Sequence, residues 1–159
     1  MGSDLSKITK IENVPKDVTG TLDALGNCTA LQTLWCSNTK VTGTLDALGN
    51  CTNLTTLIVE ECRKLTGTLN ALGNCIALQT LDCGFTAITG TLQGLVRLSQ
   101  LKTVDMRYCK GFSDDAIASY VLQAPAALKT LSLGNTNASV PEATQKQGMD
   151  AVRQYYAQL

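Results

Sequence analysis

The sequence predicts an α/β solenoid, a right-handed coil in which each turn contributes one short parallel strand and one helical turn. Three observations predict it. The phrase VTGTLDALGNCTNLTTL (41–57) recurs as VTGTLDALGNCTALQTL (18–34) and LTGTLNALGNCIALQTL (65–81), with a worn copy opening ITGTLQGL at Ile88. Gly20, Gly43, Gly67 and Gly90 fall 23, 24 and 23 residues apart. At that period each unit is one supersecondary element that buries its apolar face only by stacking on the next. Apolar residues are 44% of the chain and aromatics 4%, so the interior must be filled by repeated layers of aliphatic side chains and thiols.

The strands come first in each unit. Aligned on the first apolar position, units begin at Ile8, Leu31, Leu54, Leu78, Leu101 and Leu128, and read LQTLWC (31–36), LTTLIV (54–59), LQTLDC (78–83), LKTVDM (101–106) and LKTLSL (128–133). Alternation at the fourth to sixth positions turns one side inward and the other to water, which is strand geometry. Thr33, Thr56, Thr80, Thr103 and Thr130 hold the third position throughout, a ladder suited to β-branched packing across parallel strands.

The following TGTLDALGN reads as a turn glycine, a capping threonine and one helical turn. Thr44 is placed to accept from the backbone at the N-terminus, Asp46 to meet the positive end of the dipole, and Gly49 to leave in the left-handed conformation. Strands lie roughly 4.8 Å apart and helical turns are wider, so the coil bends with its strands on the concave face. Ser113, Asp114 and Asp115 introduce a longer helix over 116–122, stopped by Pro125.

The two ends differ. Ile8 and Ile11 hold apolar positions in the first unit, but Asn13 falls on a slot that elsewhere points inward, so this edge reads as poorly capped. At the other end Met149, Val152, Tyr156 and Leu159 recur at helical spacing after Val140-Pro141-Glu142, a closing helix that Gly148 interrupts. The chain is expected to be one domain, 1–159, with its cap at 141–159; the opening Met1-Gly2-Ser3 reads as a cloning remnant. Additional domains of a longer parent protein are left open.

The pattern L-x-x-L-x-L, followed three residues later by Asn or Cys, resembles the leucine-rich-repeat family over roughly residues 8 to 140. The Thr-Gly-Thr segment is similar to the plant-type subclass, although Thr-Leu stands where that consensus continues Ile-Pro. LTTLIVEECRKL and LKTVDMRYCKGFSDDAI resemble the cysteine-containing subclass of ubiquitin-ligase adaptors. The closing segment, with Pro141, Gly148, Ala151, Tyr155 and Tyr156, resembles the end of repeat modules in intracellular signalling proteins, Roco-type GTPases among them. The resemblance implies a non-enzymatic protein-interaction module. Its alternatives are the substrate-recognition module of a ubiquitin ligase and a secreted or surface recognition protein.

Comparing units separates scaffold from surface. The fifth position runs Trp35, Ile58, Asp82, Asp105, Ser132; the seventh and eighth run Ser37-Asn38, Glu60-Glu61, Gly84-Phe85, Arg107-Tyr108, Gly134-Asn135. An exposed indole beside an aliphatic group, with carboxylates and aromatics on the next strands, is the composition of a recognition face. The candidate partner-binding residues are Trp35, Ile58, Glu60, Asp82, Phe85, Asp105, Arg107 and Tyr108. Asp82 and Asp105 share a position on adjacent strands and face each other at roughly 5 Å. Three accounts are open: neutralisation by Arg107 or Lys102, a basic group on a partner, or a cation, which would need more oxygens than two carboxylates supply.

Other functions lack their residues. The chain has no histidine, the commonest general base and nucleophile activator at neutral pH, and no GxGxxG or GK[ST] phosphate loop. No catalytic residue, cofactor or metal is expected. Thirteen basic and thirteen acidic residues cancel, giving no positive field for nucleic acid, and no apolar run approaches membrane-spanning length. Seven cysteines follow the repeat: Cys28, Cys51 and Cys75 as an internal ladder, Cys36 and Cys83 inward on strands, Cys62 and Cys109 where strands end. The same-phase thiols form a row rather than a tetrahedron, and no Cys-x-x-Cys exists, so zinc is not expected. Buried free thiols point to a reducing, cytoplasmic setting. The sequons at Asn27, Asn50, Asn53 and Asn137 point to a secreted one, and the first two come with the repeat's Leu-Gly-Asn turn.

Overall fold

The computed structural model describes residues 4–159, so the opening Met-Gly-Ser lies outside the described residues. The strands are β1 (Lys10–Ile11), β2 (Thr19–Thr21), β3 (Thr33–Trp35), β4 (Lys40–Thr44), β5 (Thr56–Ile58), β6 (Lys64–Thr66), β7 (Thr80–Asp82), β8 (Thr103–Asp105) and β9 (Thr130–Ser132). They form two parallel sheets, β1-β3-β5-β7-β8-β9 and β2-β4-β6. In the larger, Thr33, Thr56, Thr80, Thr103 and Thr130 are partners in one line, the predicted ladder. Leu34, Leu57, Leu81, Val104 and Leu131 lie in the next line and are buried.

The second sheet corrects the expectation of a single one. The Thr-Gly-Thr segments are strands, with Gly20 opposite Val41 and Gly43 opposite Leu65, and bridges from Thr68 to Thr89 to Gly111 carry the line onward. Close approach between coils explains the glycine. A Cβ on Gly43 would sit 2.5 Å from Thr21 Oγ1 and 3.2 Å from Leu22 N, and its φ of +97° disfavours any side chain. Between coils, Thr42 Oγ1 donates to Gly20 O at 2.9 Å and Thr66 Oγ1 to Gly43 O at 3.2 Å.

Short 3-10 turns follow at Leu22–Leu25, Leu45–Leu48 and Leu69–Asn74, burying Leu22, Leu45, Leu48, Leu69 and Leu72. Two details of the predicted turn are corrected. Thr21 does accept from Asp23 N at 3.2 Å, but Thr44 instead donates to Asp46 Oδ2 at 3.0 Å, because a carboxylate is the stronger acceptor within its reach. Gly49 is right-handed, φ −59°; a 3-10 turn this short closes on Asp46 O without a left-handed exit.

Later coils carry true helices: α1 (Gln93–Val96), α2 (Asp114–Gln123), α3 (Glu142–Gln145) and α4 (Met149–Ala157). Ser113 caps α2 as predicted, its Oγ accepting from Ala116 N at 3.2 Å. The closing segment breaks at Gly148, φ +94°, and α4 lies against α2 with Met149, Val152 and Tyr156 buried. Leu159, predicted to join them, is 82% exposed because the helix ends at Ala157.

All seven cysteines are free and buried, in the slots predicted for them. The slot three residues past the motif, expected to be Asn or Cys, holds Thr39, Cys62, Thr86, Cys109 and Thr136. Each threonine hydroxyl there donates to a backbone carbonyl three residues back: Thr39 to Cys36 O at 2.8 Å, Thr86 to Cys83 O at 2.7 Å, Thr136 to Leu133 O at 2.7 Å. Asn13 is corrected: it is exposed with φ +56°, because the first unit turns two residues early.

Candidate functional site

The larger sheet presents the variable positions on one face. Trp35 and Ile58 are register partners on β3 and β5, and Asp82 and Asp105 are partners on β7 and β8. Trp35 is 51% exposed, and Ile58 is half-buried beside it. At the foot of the indole is a hollow of about 230 Å³ lined by Asn13, Val14, Trp35 and Ser37, and the Ser37 hydroxyl is buried there without a hydrogen-bond partner.

The acidic pair resolves through its neighbours. Arg107 grips Asp105, with Nε 3.0 Å from Oδ1 and 2.8 Å from Oδ2, and an Nη2–Oδ2 contact of 2.8 Å. Lys102 plays no part, donating to Gln79 Oε1 at 3.0 Å. Among the described residues Asp82 has no cation of its own and accepts the Gly84 N–H alone, at 3.1 Å. Burial pushes its carboxyl up to about 6, reinforced by Asp105 and Glu60 and opposed by the Gly84 hydrogen bond and Arg107. Neutralisation by Arg107 therefore covers one carboxylate, and Asp82 is left under-compensated. Among the described residues no cluster of three His, Cys, Asp or Glu suited to a metal ion occurs.

A second group lies where strands end. Phe85 and Tyr108 stack with centroids 4.0 Å apart at 16°, and the Arg63 guanidinium sits 5.6 Å from the Phe85 centroid. Both aromatics are in the left-handed region, φ +55° and +61°. Glu60 stands half-buried beside Asp82, and Arg107 and Tyr108 are exposed. The eight predicted residues thus form two patches joined by acidic side chains, an indole–isoleucine patch on the first strands and an aromatic stack on the later ones.

No family model and no curated protein matches the sequence. Solved structures do. A plant peptide hormone receptor, RGFR1, in complex with RGF2 superposes with a TM-score of 0.68 at 22% identity over 82% of this chain. An internalin C2 from Listeria monocytogenes superposes at 0.66 with 24% identity over 86%, and the LRR ectodomain of the receptor kinase SOBIR1 from Arabidopsis thaliana at 0.64 with 20% over 82%. The fold is that of the leucine-rich-repeat proteins. This chain spans 21%, 56% and 71% of those three, so it corresponds to a piece of the first two.

Within this leucine-rich-repeat fold one signal was legible only after the backbone was known. Asn13, Asn38, Glu61, Phe85, Tyr108 and Asn135 are the non-glycine residues of positive φ among those described, one in each repeat. Asparagine tolerates that conformation, whereas bulky side chains are disfavoured in it. The outer repeats hold asparagine and the three central ones Glu, Phe and Tyr. Sequence reasoning placed Phe85 and Tyr108 on the face, named Glu61 among the variable positions without choosing it, and missed Arg63. Arg63 corresponds to Lys110 of the other cysteine-type repeat, and only its approach to Phe85 sets it apart.

Proposed function

We propose that this chain is a non-enzymatic protein-binding module whose partner lies along the concave face, engaging Trp35, Ile58, Glu60, Asp82, Phe85, Asp105, Arg107 and Tyr108. The observation that carries the reading is the left-handed slot. A non-glycine residue there costs of order 1–3 kcal/mol, and asparagine is the low-cost choice. Three central repeats forgo it to display a carboxylate and two stacked aromatics. The under-compensated Asp82 favours a partner that brings a basic group to this face. The peptide complex of the plant hormone receptor is a precedent for the fold in that role.

Trp35→Ala is expected to leave folding within about 1 kcal/mol, because half of the indole is in water, while weakening partner binding at least tenfold. Affinity capture with wild type and variant, beside urea melts of both, checks this. A variant that unfolds, or that captures the same partner with unchanged affinity, removes Trp35 from the site.

Seven free buried thiols support an intracellular, reducing location. A second reading, a secreted or surface recognition protein, rests on the sequons. Asn27 and Asn50 are exposed, and their amides make no hydrogen bond among the described residues. Asn53 donates to Thr29 O at 3.2 Å, and Asn137 to Lys110 O and Phe112 O at 2.8 and 2.9 Å. An intact mass of native protein decides: glycan at Asn27 and Asn50 selects the second reading, and an unmodified mass the first.

A further inference from the structure

Each inner coil passes its backbone hydrogen bonds forward from the same positions. The second-position carbonyl accepts from the next coil, Gln32 O from Thr55 N at 2.8 Å and Lys102 O from Lys129 N at 2.9 Å. The sixth-position amide donates to that coil, Cys36 N to Ile58 O and Met106 N to Ser132 O, both at 3.0 Å. On β9, Thr130 N and Ser132 O are thereby taken by the β8 coil. A parallel ladder alternates, so Leu131, the residue between them, turns both of its backbone groups away from β8. β9 is the edge of its sheet, and the groups it sends forward are Lys129 O, the Leu131 N–H and C=O, and Leu133 N. The cap supplies a partner for one of them: Gln145 Oε1 accepts from Leu133 N at 3.2 Å, with Gln145 Nε2 held on Val140 O at 3.0 Å. Among the described residues the rest of this row has no hydrogen-bond partner.

The row borders a groove of about 770 Å³ between β9 and the helices α3 and α4, within the roughly 300–1,000 Å³ common for ligand clefts. Leu131, Leu133, Val140, Met149 and Val152 give it an apolar floor, and Lys129 stands exposed at its rim. Arg107 and Lys146 line it too, but Arg107 is paired with Asp105 and Lys146 with Glu142. Lys129 is the lining cation without a carboxylate among the described residues.

We propose that this groove is a second binding site, which takes an extended peptide bearing apolar residues on one side and a carboxylate, added to β9 as one more parallel strand. It shares only Arg107 and Tyr108 with the concave face. In strand addition the main chain supplies affinity and alternate side chains supply specificity. A strand laid about 4.8 Å from β9 donates to Lys129 O, accepts from Leu131 N and donates to Leu131 O, and Gln145 ends the pairing at Leu133. Its inward side chains meet the apolar floor, and its carboxylate supplies the counter-charge for Lys129. A second copy of this chain is the wrong shape. The helices α3 and α4 lie on the side where the body of a further coil would stack, so a slim segment fits and a whole solenoid edge does not.

The test is amide hydrogen exchange, read by NMR on the folded full chain, with the peptide acetyl-Leu-Asp-Thr-Leu-Ser-Leu-amide as probe. In the free protein the Leu131 amide should exchange faster than those of Leu57 and Leu81, which hold the same position but face a following strand. Added peptide should slow Leu131 exchange in a saturable way, and the same peptide with proline for threonine, lacking the donor to Lys129 O, should not. Lys129→Glu should reverse the charge preference, binding the peptide with lysine in place of aspartate more tightly than the original. Trp35→Ala, which addresses the concave face, should leave peptide binding unchanged. If Lys129→Glu does not fold, the three peptides on wild type decide alone. No slowing at the solubility limit of the probe, equal binding of the proline peptide, or loss of binding in Trp35→Ala overturns the proposal. So does a dimer, seen by light scattering, that protects Leu131 without any peptide, since the occupant is then a second copy.

Discussion

The two ends of the solenoid meet the same problem and handle it differently. At the first edge, β1 is two residues long, the 3-10 turn before it (Leu5–Lys7) buries nothing, and the repeat turns two residues early at Asn13. At the last edge, α3 and α4 fold back: Tyr156 Oη donates to Asp114 Oδ1 at 2.7 Å, Arg153 Nη2 to Pro125 O at 3.2 Å, and Gln145 Oε1 accepts from Leu133 N at 3.2 Å. The Gln145 side chain stands where a further strand's carbonyl would come. A groove of about 770 Å³ still lies between β9 and these helices. A stacked array tolerates a frayed end where little apolar area is left behind, and needs a cap where a full leucine layer would face water.

The largest test of that contrast is deletion. Removing 141–159 uncovers Leu128, Leu131 and Leu133, which are 6% exposed or less, and is expected to abolish cooperative unfolding or cause aggregation. Removing 4–7 should change stability by no more than about 0.5 kcal/mol, since those residues are all exposed. Thermal melts with light scattering measure both, and a monomeric 141–159 deletion with the parent melting curve would show that the helices are no cap.

Glycines in the second sheet probe the same gradient more finely. Gly43→Ala places a Cβ against Thr21 and Leu22 in a left-handed backbone and is expected to cost about 2 kcal/mol. Gly20→Ala carries its own backbone strain, φ +135°, but meets nothing within 4 Å, since β2 is an edge strand of its sheet among the described residues; its cost should be clearly the smaller. Denaturant titration of both variants checks the difference, and equal costs would mean that coil-to-coil contact is not what selects glycine at 43.

A smaller effect than that of Gly43→Ala is expected at the cap's polar anchor. Tyr156→Phe removes the hydrogen bond to Asp114 and should cost about 1 kcal/mol at neutral pH. Although burial raises the Asp114 carboxyl, hydrogen bonds from Ser139 and Tyr156 outweigh it and hold the group below the ordinary carboxylate value of 3.8. The folded state thus binds fewer protons than the unfolded one. The stabilisation is present above the unfolded value and is lost as pH falls through the folded one. The gap between wild type and Tyr156→Phe should therefore be constant above pH ~5 and shrink in acid; a gap that grows in acid would place the tyrosine's contribution elsewhere.

The sequence by itself determined the coil, its six repeats, the threonine ladder, the buried thiols, and the facing of Trp35 with Ile58 and of Asp82 with Asp105. All of these follow from period, and period is a property of one dimension: a residue recurring every 23 or 24 positions must recur at one place on every turn. Tertiary structure alone decided that Thr-Gly-Thr makes a second sheet, that Arg107 rather than Lys102 neutralises Asp105, that the Cys62 thiol donates to Cys36 O, and that Phe85 and Tyr108 stack in left-handed backbone. Arg107 and Asp105 meet within one coil, and Phe85 and Tyr108 meet between coils only because their shared eighth position is left-handed. Whether such contacts form depends on the rise and twist between turns and on the rotamer each side chain adopts, and the packed coils set both at once.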